Sequence, residues 1–174
     1  MKKKFYLPLI VTIMGLFAFT MAVPNWKVKE DECVVEFTGG RISGTFKALK
    51  ADIVFDKDHL DLAKIMASIE VPSIATGFFL KNSHAKDALD ADKYPDIKFT
   101  SVTVTKNGSA YIAKGNLNMK GVSKPVNINF TFEEKGNQGV FKGSFKVVPK
   151  DFGVTRSGTP DEVSINLVVP VVKA

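Results

Sequence analysis

Cysteine and histidine are almost absent from this chain, and it has no apolar stretch long enough to cross a bilayer. One cysteine in 174 residues excludes an intrachain disulfide framework, and two histidines exclude a histidine-rich metal cluster. The longest apolar run, Leu7 to Phe19, holds about a dozen residues against the ~20 that a spanning helix needs. There is no low-complexity tract, linker or internal repeat. With 45% hydrophobic and 24% charged residues the composition is globular, not disordered or collagenous. A length of 174 residues accommodates one domain with a sizeable core and leaves little room for a second.

No acidic residue precedes Glu30, and the start of the chain carries Lys2, Lys3 and Lys4 before its apolar run. That is the layout of a secretory signal peptide. Thr20-Met21-Ala22 offers small residues where a signal peptidase reads, so cleavage is expected after Ala22, giving a leader at 1–22 and a mature domain at 23–174. A membrane anchor is the competing reading, and the run is too short for it. The expectation is a periplasmic or secreted protein without a stable membrane span. The three leader lysines supply half of the formal charge of +6, and the remainder is scattered, which gives no electrostatic case for nucleic acid. Cys33 lacks the small-residue context of a lipid-modified cysteine; it is either a free thiol or a small core residue, and its strand-like setting between Trp26 and Phe37 favours burial.

Beyond the leader, about nine segments alternate apolar and polar residues with period two, separated by Gly, Pro, Asn and Asp. Val35 and Phe37 lead into a Gly39-Gly40 turn; Leu49, Ala51, Ile53 and Phe55 alternate with Lys50, Asp52 and Asp56; Ile65, Ala67, Ile69 and Val71 share one face. Further on, Ile97 and Phe99 start a strand, Tyr111 to Met119 form another, and Lys120 to Pro125 connects it to a strand carrying Val126, Ile128, Phe130 and Phe132. Phe141 to Val147 and Val163 to Val171 complete the set. The pattern predicts an all-β domain, a barrel or a sandwich, with one interruption. Gly77 to Lys93 fits a helical period, with Thr76 as N-cap and Lys93-Tyr94-Pro95 as stop, and the architecture suggests a lid.

Phe37, Phe46, Phe55, Phe99, Phe130, Phe132, Phe141 and Phe145 all fall in strand segments, mostly on the apolar side. Periodicity leaves two readings open: the rings fill a solid core, or they wall a cavity for a flexible hydrocarbon.

Specific stretches bear on that choice. Lys81-Asn82-Ser83-His84, Tyr94-Pro95-Asp96-Ile97-Lys98-Phe99-Thr100-Ser101, Gly121-Val122-Ser123-Lys124-Pro125-Val126 and Asp151-Phe152-Gly153-Val154 are similar, in order and spacing, to the YceI-like polyisoprenoid-binding family, from Trp26 to Val172. The chain departs from that pattern at Glu32-Cys33, Asn82 and Ala85. The resemblance implies an extended antiparallel, lipocalin-like β-barrel with one short helical insertion. It also implies an apolar tunnel for a long isoprenoid or similar lipid, such as a quinone or fatty-acyl species, and no catalytic machinery, metal or other cofactor. Phe99, Leu117, Phe130, Phe132, Phe141 and Phe145, with Ile69, are the expected wall, and Thr76, Lys81, Asn82 and His84 the expected head-group contacts. Helix capping and solvation are the plain alternative for those four.

Enzymatic readings find little in the residues. There is no Gly-x-Ser-x-Gly elbow, and only His59 and His84 offer an imidazole. Asp56, Asp58, His59 and Asp61 bunch in one loop without a zinc or calcium spacing. The reading from another class is a periplasmic interaction module with a solid core. It predicts an exposed apolar patch; Val102, Val104 and Val168 are the outward candidates, and they suggest an edge-paired homodimer.

Overall fold

A computed structural model describes residues 23–174; the leader expected over 1–22 lies outside them. Eleven strands, two more than the sequence segments suggest, form one antiparallel sheet. They are β1 (Asn25–Val28), β2 (Val34–Gly39), β3 (Ile42–Phe46), β4 (Leu49–Val54), β5 (Lys64–Glu70), β6 (Ile74–Ala75), β7 (Asp96–Asn107), β8 (Ala110–Met119), β9 (Val122–Lys135), β10 (Gln138–Val147) and β11 (Val163–Lys173). The helix α1 (Phe79–Leu89) lies between β6 and β7.

The sheet closes because β11 pairs with β10 along one edge and with both β1 and β2 along the other. Three staves of the barrel are each built from two short strands. β1 and β2 follow one another along β11; β4 pairs with β1 while β3 pairs with β2; and β5 and β6 pair with β4 and β3 in turn. With β7 to β11 this makes a closed eight-strand antiparallel barrel. The odd-numbered residues of β8 and β10 face inward, as the alternation predicts, and Gly143 lies between Phe130 and Leu167 in register.

The alternation breaks once, on β7. Ser101 pairs with Gly115 and Thr103 with Lys114, so Val102 is an unpaired bulge residue that shifts the inward face from odd to even positions. Val104 is therefore buried, which corrects its expected place on the outside, while Val102 stays exposed.

Two connections differ from their expected bounds. β8 and β9 are joined by Lys120-Gly121 alone, both at positive φ (53° and 76°), so Lys124 and Pro125 belong to the strand. The helix ends at Leu89, not at Lys93, because Asp90 takes the left-handed conformation with φ 53° and its N–H bonds back to the carbonyls of Asp87 and Lys86. Phe78, not Thr76, occupies the N-cap and makes no side-chain capping bond. Cys33 is half-buried just ahead of β2, its Sγ 3.4 Å from the Lys29 carbonyl.

Candidate functional site

The two ends of the barrel are built differently. At the end reached by the β4–β5 and β9–β10 connections, Phe55 is wholly buried and its ring meets those of Tyr111, Phe130, Phe132 and Phe141 edge-on, with centroids 5.1 to 5.6 Å away. Trp26 packs edge-on against Phe132 and donates its indole N–H to the Phe55 carbonyl at 2.9 Å. Phe132 and Phe141 stack at 4.3 Å. This aromatic cluster plugs the end.

Below the plug the barrel is hollow, with a cavity of about 460 Å³. All eight staves contribute to its wall, almost entirely with hydrocarbon: Ile53, Ile65, Phe99, Leu117, Ile128 and Leu167 are representative. The space is left where small inward residues stand among the large ones. Ala51 pairs with Ala67, which pairs with Phe99, and Ala113 and Gly143 lie on the same inner surface. Glycine also lets rings lie against the wall. A Cβ on Gly115 would come 2.7 Å from the Phe99 ring and collide with the Thr100 carbonyl oxygen, and one on Gly139 would come 2.5 Å from Phe132.

The opposite end is the mouth. Arg41 and Ser43 from the β2–β3 hairpin, Thr76, the inner face of α1 with Lys81, His84, Ala85, Ala88 and Leu89, and Arg156 to Pro160 from the β10–β11 loop surround it. None of the residues of α1 is fully buried. Polar ties hold the helix instead. Lys120 Nζ donates to the carbonyls of Ala88 (3.0 Å) and Gly153 (3.1 Å), and Arg156 Nη1 donates to Asp87 Oδ2 (3.1 Å) and the His84 carbonyl (3.4 Å). The Tyr94 ring lies under Gly121, where a Cβ would come within 2.7 Å of it. The Tyr-Pro stretch, the Lys120-Gly121 turn and the Asp-Phe-Gly-Val segment thus meet beside α1, so these motifs build the frame of the mouth.

Of the expected wall residues, Phe99, Leu117, Phe130, Phe141, Phe145 and Ile69 line the cavity, and Thr76, Lys81 and His84 line the mouth. Two expected residues are placed elsewhere. Phe132 sits one layer too deep and belongs to the plug. Asn82 does not line the cavity; its Oδ1 accepts from the Thr76 backbone N–H and hydroxyl, both at 2.7 Å, and ties the helix to the residue that follows β6. Sequence reasoning missed Arg41 and Arg156 at the mouth. Nothing local marks them, since they are far apart in the chain; the small inward residues Ala51, Ala67, Ala113 and Gly143 were a legible signal of free space.

The two imidazoles stand at opposite ends. His59, by the plug, lies with Nδ1 3.0 Å from Asp56 Oδ2, and this hydrogen bond raises its pKa. Asp56 is held below the usual carboxylate range by the Asp58 N–H and by His59. The Cys33 thiol is pushed up to about 11 by burial and by the Glu30 and Glu32 carboxylates.

A closed antiparallel barrel that is plugged at one end, open at the other and hollow between is lipocalin-like in class. The chain belongs to the YceI-like family, whose domain matches residues 26–171. A UPF0312 protein of Serratia proteamaculans is 29% identical over 186 residues, covering 98% of this chain and 97% of that one. Among solved structures, Burkholderia cenocepacia BcnA superimposes with a TM-score of 0.76 at 24% identity, covering 82% of this chain and 98% of BcnA. A polyisoprenoid binding domain from Saccharophagus degradans, implicated in plant cell wall breakdown, superimposes with a TM-score of 0.67 at 12% identity, covering 86% and 98%. At these identities the structural likenesses show the fold.

Proposed function

We propose that this chain is an exported binding protein that holds a long-chain isoprenoid or related lipid, non-covalently, in the barrel cavity. The observation that carries the reading is the 460 Å³ space with an apolar wall from every stave, sealed at the plug and open at a polar mouth. Its volume falls within the range of roughly 300–1,000 Å³ common for small-molecule sites. Its wall offers area and few hydrogen bonds, which suits a hydrocarbon chain better than a polar metabolite. Sequestering about ten CH₂ groups at ~0.8 kcal/mol each gives a gross ~8 kcal/mol, from which the costs of ordering the chain are subtracted.

The head group is held at the mouth, where Thr76, Lys81 and His84 stand with Arg41 and Arg156. The leader-like start of the chain supports export. The alternative, an interaction module with a solid core, leaves this cavity without a use.

Native mass spectrometry of the exported protein, purified without detergent and followed by organic extraction, tests the reading. A stoichiometric isoprenoid, quinone or fatty-acyl species is the expected result. A protein that emerges empty and takes up no added long-chain lipid would overturn it.

A further inference from the structure

The helix that forms one wall of the mouth carries a second, unused surface on its outer side. Phe78, Phe79 and Leu80 are 50%, 71% and 46% exposed. The Phe78 and Phe79 rings touch one another, with centroids 5.4 Å apart, and neither belongs to the core cluster. Helical spacing sets Phe79 on the opposite side of α1 from Lys81, His84, Ala85 and Ala88, which face the cavity.

We propose that this N-terminal turn of α1 is a docking surface for an anionic lipid bilayer. Aromatic and leucine side chains next to basic ones are the composition that settles at a membrane interface. The cations are at the same end of the molecule: Arg41, Lys81 and Arg156 line the mouth, and no carboxylate does. Asp87 pairs with Arg156, whereas Arg41 and Lys81 make no ion pair among the described residues. Asp87, Asp90 and Asp92 gather at the other end of the helix, so the charge pattern favours contact through the first turn, with the acidic end left in water. Docked in this way, the mouth lies beside the bilayer surface, which shortens the path of a hydrocarbon chain between membrane and cavity. That consequence rests on the lipid-binding reading; the docking itself does not.

Flotation of the exported protein with vesicles tests it, comparing phosphatidylcholine alone with a phosphatidylcholine and phosphatidylglycerol mixture. Two unpaired cations near an anionic surface, each worth roughly fivefold, predict about a twenty-five-fold preference for the mixture that high salt removes. The Phe78→Ser/Phe79→Ser pair should lower vesicle binding about tenfold while uptake of a fluorescent fatty-acyl probe, measured without vesicles, is unchanged. Phe79→Ser alone serves if the pair does not fold.

Wild-type protein that stays out of phosphatidylglycerol vesicles overturns the proposal, as do variants that float as well as wild type. So does sedimentation showing a dimer that the Phe78→Ser/Phe79→Ser pair dissociates, because a second copy would then cover the patch. A protein that floats but takes up no probe overturns the cavity reading alone, and one that takes up probe but does not float overturns docking alone.

Discussion

Replacing Gly143 by tryptophan obstructs the cavity without disturbing the strand that carries it. The atoms nearest a Cβ at this position are Ile128 Cγ2 at 3.4 Å, the Asn129 carbonyl oxygen at 3.5 Å and Leu167 Cδ1 at 3.6 Å, which is ordinary contact. The rest of the side chain then enters the space between Phe141 and Phe145 on the inner face of β10. A benzene-sized ring needs on the order of 150 Å³. An indole therefore takes at least about a third of the 460 Å³ available. A bound chain that loses the matching third of about ten CH₂ contacts forfeits ~3 kcal/mol, or about a hundredfold in Kd.

The empty protein should be as stable as wild type or more so, because the indole fills a void. Titration with a fluorescent fatty-acyl probe and a thermal melt read both quantities. Gly115→Ala is the control for mere damage: its Cβ collides with the Thr100 carbonyl oxygen and the Phe99 ring, so it should lower Tm instead. A folded Gly143→Trp protein that binds within about threefold of wild type would refute the assignment of the cavity as the lipid site.

Three further predictions follow from contacts around the barrel. Lys120→Met removes both ties to the Ala88 and Gly153 carbonyls and should cost about 1 kcal/mol, with hydrogen exchange accelerated in α1 more than in β8 or β9; uniform acceleration would contradict a local role. The His59–Asp56 pair stabilises fully between the unfolded carboxylate and imidazole pKa values. That stabilisation is lost as pH rises through the raised His59 value or falls through the lowered Asp56 value, so Asp56→Asn should bring the NMR-titrated His59 pKa down. An unchanged His59 titration would rule the pairing out. With its pKa near 11 against a reference of 9.0, Cys33 should react with iodoacetamide at pH 8 roughly tenfold more slowly than an ordinary thiol, the ~100-fold loss of thiolate being half offset by its greater nucleophilicity. Alkylation at the ordinary rate would show a thiol that is neither desolvated nor faced by carboxylates.

Most of the barrel was legible because alternation is a local property of the chain. Leu117, Phe130 and Phe141 face inward as the period-two pattern requires, and the helical period between Gly77 and Lys93 places α1 correctly in outline. Val104 was misread because a bulge adds a residue without leaving a sequence mark, and one extra residue inverts every side chain after it. The helix end was misread for a related reason: Asp90 adopts a left-handed backbone more often chosen for glycine or asparagine, so it gives a weak stop signal beside the conspicuous Tyr94-Pro95.

Side-chain chemistry and strand period are enough to specify an all-β domain with one helix and an apolar interior, because burial follows both. Its motifs marked the family, and the structure shows them meeting at the frame of the mouth. Only the closed sheet decided depth and direction. Phe130 and Phe132 lie two residues apart on one strand, yet one lines the cavity and the other completes the plug, since register against β10 and the packing of Phe55 set their height. Arg41 and Arg156 become neighbours of one opening through the pairing of β2 with β11, a contact between distant segments that no local pattern encodes. The hollow itself is tertiary in origin, left where Ala and Gly on one stave stand opposite Phe, Leu and Ile on the next.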